Sequence, residues 1–198
     1  MRNPKDNLSI LIIGLIISIA SLALAFSKIN HWYFLGVFGF WFVFDYFSSI
    51  KNNNTGIQIF IKSKKKFLKL YFLMFMLGCA IEIIGRFVFN LWIYPLYSNP
   101  LFDITNLLIY PFILMSFRES YETLKIIFNK KSLSFIGAMI LGILIWEIPN
   151  LVSRDWLYTI PFISLEIIGI NIIVIIGWAI LIGFPIWIFN NFFGGNLK

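Results

Sequence analysis

The sequence predicts an all-α fold, a polytopic integral membrane bundle of six transmembrane helices. Three observations carry that expectation. Of the 198 residues 60% are hydrophobic, and the mean hydropathy of +0.87 lies far outside the range of soluble chains. Apolar runs long enough to cross about 30 Å of hydrocarbon, roughly 20 residues each, recur near 8–26, 31–50, 67–90, 101–117, 133–151 and 162–190. Lysine and arginine gather in the connections between these runs, so the chain reads as a single transmembrane domain over 1–198.

Taken in order, the first run follows Arg2 and Lys5 and carries Ala23-Leu24-Ala25 near its end, as a cleaved signal peptide would, but its apolar core is long for one. An uncleaved first helix is the expectation. The second run is aromatic and contains Asp45. The connection after it holds Lys51, Lys62, Lys64, Lys65, Lys66 and Lys69, and the connection between runs four and five holds Arg118, Lys125, Lys130 and Lys131. Only Lys28 and Arg154 fall on the opposite side, with Arg86 inside a span. Positive charge is retained on the cytoplasmic face, so both termini are expected to be cytoplasmic, in a multi-pass protein of the cell membrane. A formal charge of +7 placed this way reports orientation, and nucleic acid is not expected as a partner.

In this topology spans three and five run outward. Glu82 and Glu147 then lie four or five residues past their midpoints, about 6–8 Å at the helical rise. Asp103 and Glu166 begin spans four and six, and Asp155 joins them on the outer side. A charge in hydrocarbon costs several kcal/mol or more, so an intramembrane acid is paired, protonated or turned to a cavity, and is a functional candidate.

Two stretches carry the same elements in the same order. In Glu82–Tyr94 the acid is followed by Arg86, Asn90, Trp92 and Tyr94. In Trp146–Tyr158, Glu147 is followed by Asn150, Arg154, Trp156 and Tyr158. The separation from acid to tryptophan is ten residues in the first and nine in the second, and Trp-x-Tyr is common to both. This predicts an internal repeat of helices three-four and five-six. Glu82 and Arg86, spaced i and i+4, are expected to pair along one face that Asn90 continues. Asn150 and Arg154 are expected on the face of Glu147, unless Pro149 ends the helix.

Proton transfer is the chemistry that these groups suggest. Beside Arg86, Glu82 reads as a base; beside Asn150, Glu147 reads as an acid. The faces of Trp92, Tyr94, Trp146, Trp156 and Tyr158 would stabilise a cation, by about 2 kcal/mol or more when desolvated. Glu82 and Glu147 are therefore the candidate catalytic residues. Arg86, Asn90, Trp92, Tyr94, Asp103, Trp146, Asn150, Arg154, Trp156, Tyr158 and Glu166 are the candidate substrate-binding residues. With one histidine and one cysteine the chain lacks the ligands for a zinc or histidine-rich iron site; composition leaves a carboxylate-only magnesium site open, and the expectation is no metal and no other cofactor. The last run contains no lysine to form a Schiff base with a bound aldehyde, which sets a retinal protein aside.

The order Glu82, Gly85, a polar-aromatic run ending in Tyr94, Asn99-Pro100, and Tyr110-Pro111 leading an apolar helix resembles the membrane carotenoid-biosynthesis proteins of the carotenoid hydratase type. The acid-plus-aromatic repeat is also similar to the small membrane lycopene cyclases built from paired units. The chain differs from them in Phe87-Val88-Phe89, where the hydratases are richer in glycine, and in lacking the Pro-x-Glu-Glu run of the cyclases. The resemblance implies proton-initiated cyclisation, hydration or isomerisation of a membrane-dissolved isoprenoid, with Glu82 and Glu147 in the acid–base positions. Membrane lipid and a lipophilic small molecule would then be the partners. A second expectation comes from six helices with polar groups gathered on the outer side, which resemble the substrate-binding components of vitamin uptake transporters. In a third, Glu82 and Arg86 merely join helices.

Overall fold

A computed structural model describes residues 4–95, 100–160 and 163–193. The chain is a helical bundle. It runs α1 (Pro4–Phe26), α2 (Trp32–Ser49), a short α3 (Gly56–Lys62), α4 (Lys64–Glu82), β1 (Trp92–Ile93), α5 (Pro100–Phe128), α6 (Lys131–Gly142), α7 (Ile148–Ser153), β2 (Leu157–Tyr158), β3 (Glu166–Ile167), β4 (Ile170–Asn171) and α8 (Ile172–Phe192). Turns of π-helix at Ile83–Val88 and Ile143–Glu147 continue α4 and α6. Asn99 lies outside the described residues.

Five helical segments are long and apolar enough to cross a membrane: Leu8–Phe26, Lys64–Val88, Leu101–Phe128, Lys131–Ser153 and Ile172–Phe192. The protein is therefore a helical membrane bundle. α2, of 18 residues, is a further long helix held between α1 and α5.

Polar residues set the helix starts. The Thr55 hydroxyl accepts the Gln58 N–H to begin α3, Ser63 accepts from Lys66 N–H to begin α4, and Asn171 accepts from Ile173 N–H to begin α8. Asn171 thus starts the last helix well after the apolar run at 162–190 begins. Residues 166–171 instead form the β3–β4 hairpin, with Glu166 opposite Asn171. The fourth apolar run, in contrast, belongs to a helix that continues to Phe128, so Arg118 is a buried helix residue and not a loop charge.

α1 and α2 pack through small residues. A Cβ added to Gly39 would stand 2.6 Å from the Ser18 amide nitrogen, so only glycine lets the two backbones approach this closely. The lysine-rich end of the bundle is tied by a buried polar cluster. Asp45 accepts from the Thr55 hydroxyl and the Ile57 N–H, both at 2.9 Å. Glu119 accepts from Ser48, from the Gly56 N–H at 3.1 Å and from Arg118 at 2.8 Å. The Arg118 guanidinium also lies 4.0 Å over the Phe189 ring, which joins α8 to the same cluster. At the other end, the end with the strands, Asp155 accepts from the His31 N–H and the Ser153 hydroxyl receives the Trp32 indole N–H at 2.8 Å. The loop after α7 is thereby fastened to the α1–α2 corner.

Candidate functional site

The site forms beneath the strand pair, beside two π turns, one following Glu82 and one ending at Glu147. Glu82 ends α4 and Glu147 ends the second π turn, each only 4% exposed. A π turn places one extra residue in the helical ladder and so rotates the side chains beyond it. The second opens the ladder just before Pro149, which has no N–H to give; the proline is accommodated in the first turn of α7, and helical structure continues to Ser153. After each helix one residue turns the chain in the left-handed region, Asn90 at φ 50° and Arg154 at φ 58°. Strands β1 and β2 come next, and they pair antiparallel with Trp92 opposite Tyr158 and Ile93 opposite Leu157. The Thr159 N–H, donating to the Leu91 carbonyl at 2.9 Å, extends the pairing.

This arrangement returns a tyrosine to each acid. The Tyr94 hydroxyl donates to Glu82 at 2.8 Å. The Tyr158 hydroxyl donates to Glu147, 2.8 Å from Oε1 and 3.0 Å from Oε2. Glu147 also accepts from the Trp178 indole N–H at 3.1 Å, and the Trp156 indole N–H donates to the Tyr158 oxygen at 3.1 Å. Around Glu82, Tyr110 of α5 takes the place of a second partner, while the Trp92 indole nitrogen is buried without a hydrogen-bond partner among the described residues. Tyr110 of α5 stands within electrostatic reach of both carboxyls, so the two acids converge on a single region.

A cavity of about 630 Å³ opens there. Its polar end is walled by Tyr94, Tyr110, Tyr158, Trp92, Trp156, Trp178 and Glu147, while Glu82 meets it through Tyr94. Two glycines seat the indoles: a Cβ on Gly85 would fall 1.8 Å from the Trp92 ring, and one on Gly142 would fall 2.3 Å from the Trp178 ring. Trp146 stacks on Trp32 with ring centroids 5.8 Å apart and closes the wall behind Glu147. The cavity falls within the roughly 300–1,000 Å³ of small-molecule sites and has their composition, apolar walls with a few convergent polar groups.

No family model matches the chain, and neither the curated proteins nor the solved structures contain a match to it. The site therefore has to be read from its own chemistry.

Of the residues singled out by sequence, Glu82, Glu147, Trp92, Tyr94, Trp146, Trp156 and Tyr158 come together at the cavity. Asn150 takes a supporting position, its amide donating to the Trp156 carbonyl at 2.9 Å and its oxygen accepting the Trp156 N–H at 3.1 Å, which fixes the turn into β2. Arg86 departs from expectation. Its ion pair is with Asp103, at 2.7 Å, because the π turn beginning at Ile83 breaks the i, i+4 face that would have aimed it at Glu82. The i, i+4 contact expected between Glu82 and Arg86 is thus replaced by one between Arg86 and Asp103. Asn90 and Arg154 are exposed residues of left-handed turns, away from the faces of their acids. Glu166 is exposed on β3, outside the site and ahead of the α8 N-terminus it was expected to occupy.

Tyr110, Trp178 and Asn106 also line the cavity, although none is among the site residues expected from the sequence, where Tyr110 figures only in the resemblance. Trp178 carried a signal, an indole N–H well inside an apolar run and away from the interfacial belt where tryptophan usually sits. A buried indole needs an acceptor, and Glu147 is that acceptor.

Proposed function

We propose that this protein is a membrane-embedded acid–base catalyst acting on the double bonds of a membrane-dissolved isoprenoid, with Glu147 and Glu82 as the proton-transfer groups. One observation carries the reading: two buried carboxyls are each hydrogen-bonded to a tyrosine that lines the same aromatic-walled cavity, Glu147 lining it directly and Glu82 standing behind Tyr94. Glu147 faces the cavity and exchanges a proton with the substrate. Its hydrogen-bonded neighbours Tyr158 and Trp178 hold the carboxyl in place and complement it when it is ionised. Glu82 reaches the cavity through the Tyr94 hydroxyl and takes the opposite part of the proton traffic. The cation that protonation leaves on a polyene is stabilised by the surrounding indole and phenol faces.

The same reading includes six crossings, with α2 as the sixth, both termini cytoplasmic and the two acid-bearing halves related as an internal repeat. The matched order of π turn, left-handed residue, short strand and returning tyrosine supports that relation.

The test is lipid extraction and mass spectrometry from a polyene-producing host that expresses the protein, Glu82→Gln or Glu147→Gln. The intact protein should shift the isoprenoid profile and Glu147→Gln should reduce the shift by about 100-fold, the scale of a lost general acid. Unchanged profiles with the intact protein, or co-purification of a water-soluble ligand, would overturn the proposal.

A further inference from the structure

One flank of the cavity is open. Ile84 at the end of the α4 segment and Ile176, Ile180 and Phe184 on α8 all line it, yet they are 51%, 59%, 50% and 50% exposed. A side chain that lines a cavity and is half exposed marks its mouth. α4 and α8 each pack on α5 without packing substantially on one another, so the mouth is a gap between these two helices. It narrows toward the lysine-rich end, where the Lys69 ammonium stands 5.4 Å over the Phe192 ring.

The chemistry of the rim specifies what can pass. All four side chains are aliphatic or phenyl, on segments long and apolar enough to cross a membrane. Water and polar solutes find no hydrogen-bond partner at such a mouth, whereas hydrocarbon enters at no such cost. Behind the rim, Gly177 lines the cavity, and a Cβ built on it meets nothing within 4 Å. Gly85 and Gly142 each seat an indole; Gly177 instead leaves room. A cavity of about 630 Å³ has room for one long apolar chain.

We infer that the cavity is loaded sideways from the membrane through the gap between α4 and α8, by a lipid-phase molecule with a single long apolar chain that lies over Gly177. The reacting end of that molecule stops at Tyr94, Tyr158 and Glu147. What happens at that end rests on the acid–base reading; the route of entry does not.

The experiment uses the full chain in phosphatidylcholine vesicles and a farnesyl alcohol that carries a diazirine in its chain. After illumination, adducts are mapped by mass spectrometry. Labelling should concentrate on 77–84 and 173–184, and Gly177→Phe, which fills the vacant space, should reduce it by about tenfold or more. Ile180→Trp, on the rim, should reduce it as well. Ile19→Phe, on the exposed face of α1, should not. Thermal unfolding of each variant is followed in parallel, and Ile180→Trp gives the result if Gly177→Phe misfolds. Adducts spread equally over α1 and the other exposed helices, or labelling indifferent to both cavity variants, would overturn the inference. Because labelling is read without turnover, a protein that takes up the probe but converts no polyene supports lateral entry while removing the acid–base chemistry.

Discussion

Asp155 shows how a buried polar residue serves the site without touching it. Its carboxyl is shielded from water, which pushes its pKa up, while the His31 N–H it accepts pulls the other way. Burial is the larger effect, so the folded protein keeps this proton to higher pH than the unfolded chain, whose carboxyl titrates near 3.8. Between those two values folding takes up a proton, and stability falls as pH rises through the window. Thermal unfolding of the intact chain should show this slope above pH 3.8, and Asp155→Asn should flatten it. The neighbouring residues differ in how far they could be read from sequence. Glu82 and Glu147 stood out because carboxylates are costly in hydrocarbon, and Trp-x-Tyr identified their partners. Tyr110 and Trp178 come from other helices, through packing that no local spacing reports.

At the scale of elements, five of the six expected spans could be read from hydropathy because lipid demands a fixed length of apolar chain. The ends were less legible. Residues 162–171 are apolar enough to continue a helix, but Asn171 caps α8 and the chain before it folds back as a hairpin. The π turns were hidden as well, because a single extra residue in a helix leaves its hydrophobicity unchanged. Their trace was the separation from acid to tryptophan, ten residues against nine, without any indication that Arg86 would turn to Asp103. The first π turn also depends on Gly85. Gly85→Ala would force the Trp92 ring from its seat, and the overpacking should cost about 1–3 kcal/mol. A lowered midpoint in thermal unfolding, with loss of the Tyr94–Glu82 contact, is the expected outcome; a variant as stable as the parent would show that the indole can move at little cost.

At the scale of the whole molecule, polar clusters stand at the two ends of an apolar bundle. Asp45, Glu119 and Arg118 tie the lysine-rich end, and the acids with their tyrosines occupy the strand end. The proposed six crossings place these ends on opposite faces of the membrane. A cysteine at Ile168, which is 81% exposed in the β3–β4 turn, should therefore react with an impermeant thiol reagent applied to intact cells. A cysteine at Lys65 should react only after permeabilisation. Both measurements are made in a Cys79→Ser background, and labelling of both positions from one face would refute six crossings.

The π turns have a mechanical consequence. Each residue of an α-helix advances the side chains by about 100° around the axis, so one residue more or fewer acts as a phase shift on everything downstream. Were Ile143–Glu147 wound as ordinary α-helix with no residue removed, Glu147 would swing by about that angle away from Tyr158 and Trp178, although every interacting side chain would remain in the chain. Assembly of this site is a matter of phase as well as of composition, and a one-residue deletion in the regular helix before the π turn, though it preserves hydrophobicity and charge, would be more disruptive than most substitutions.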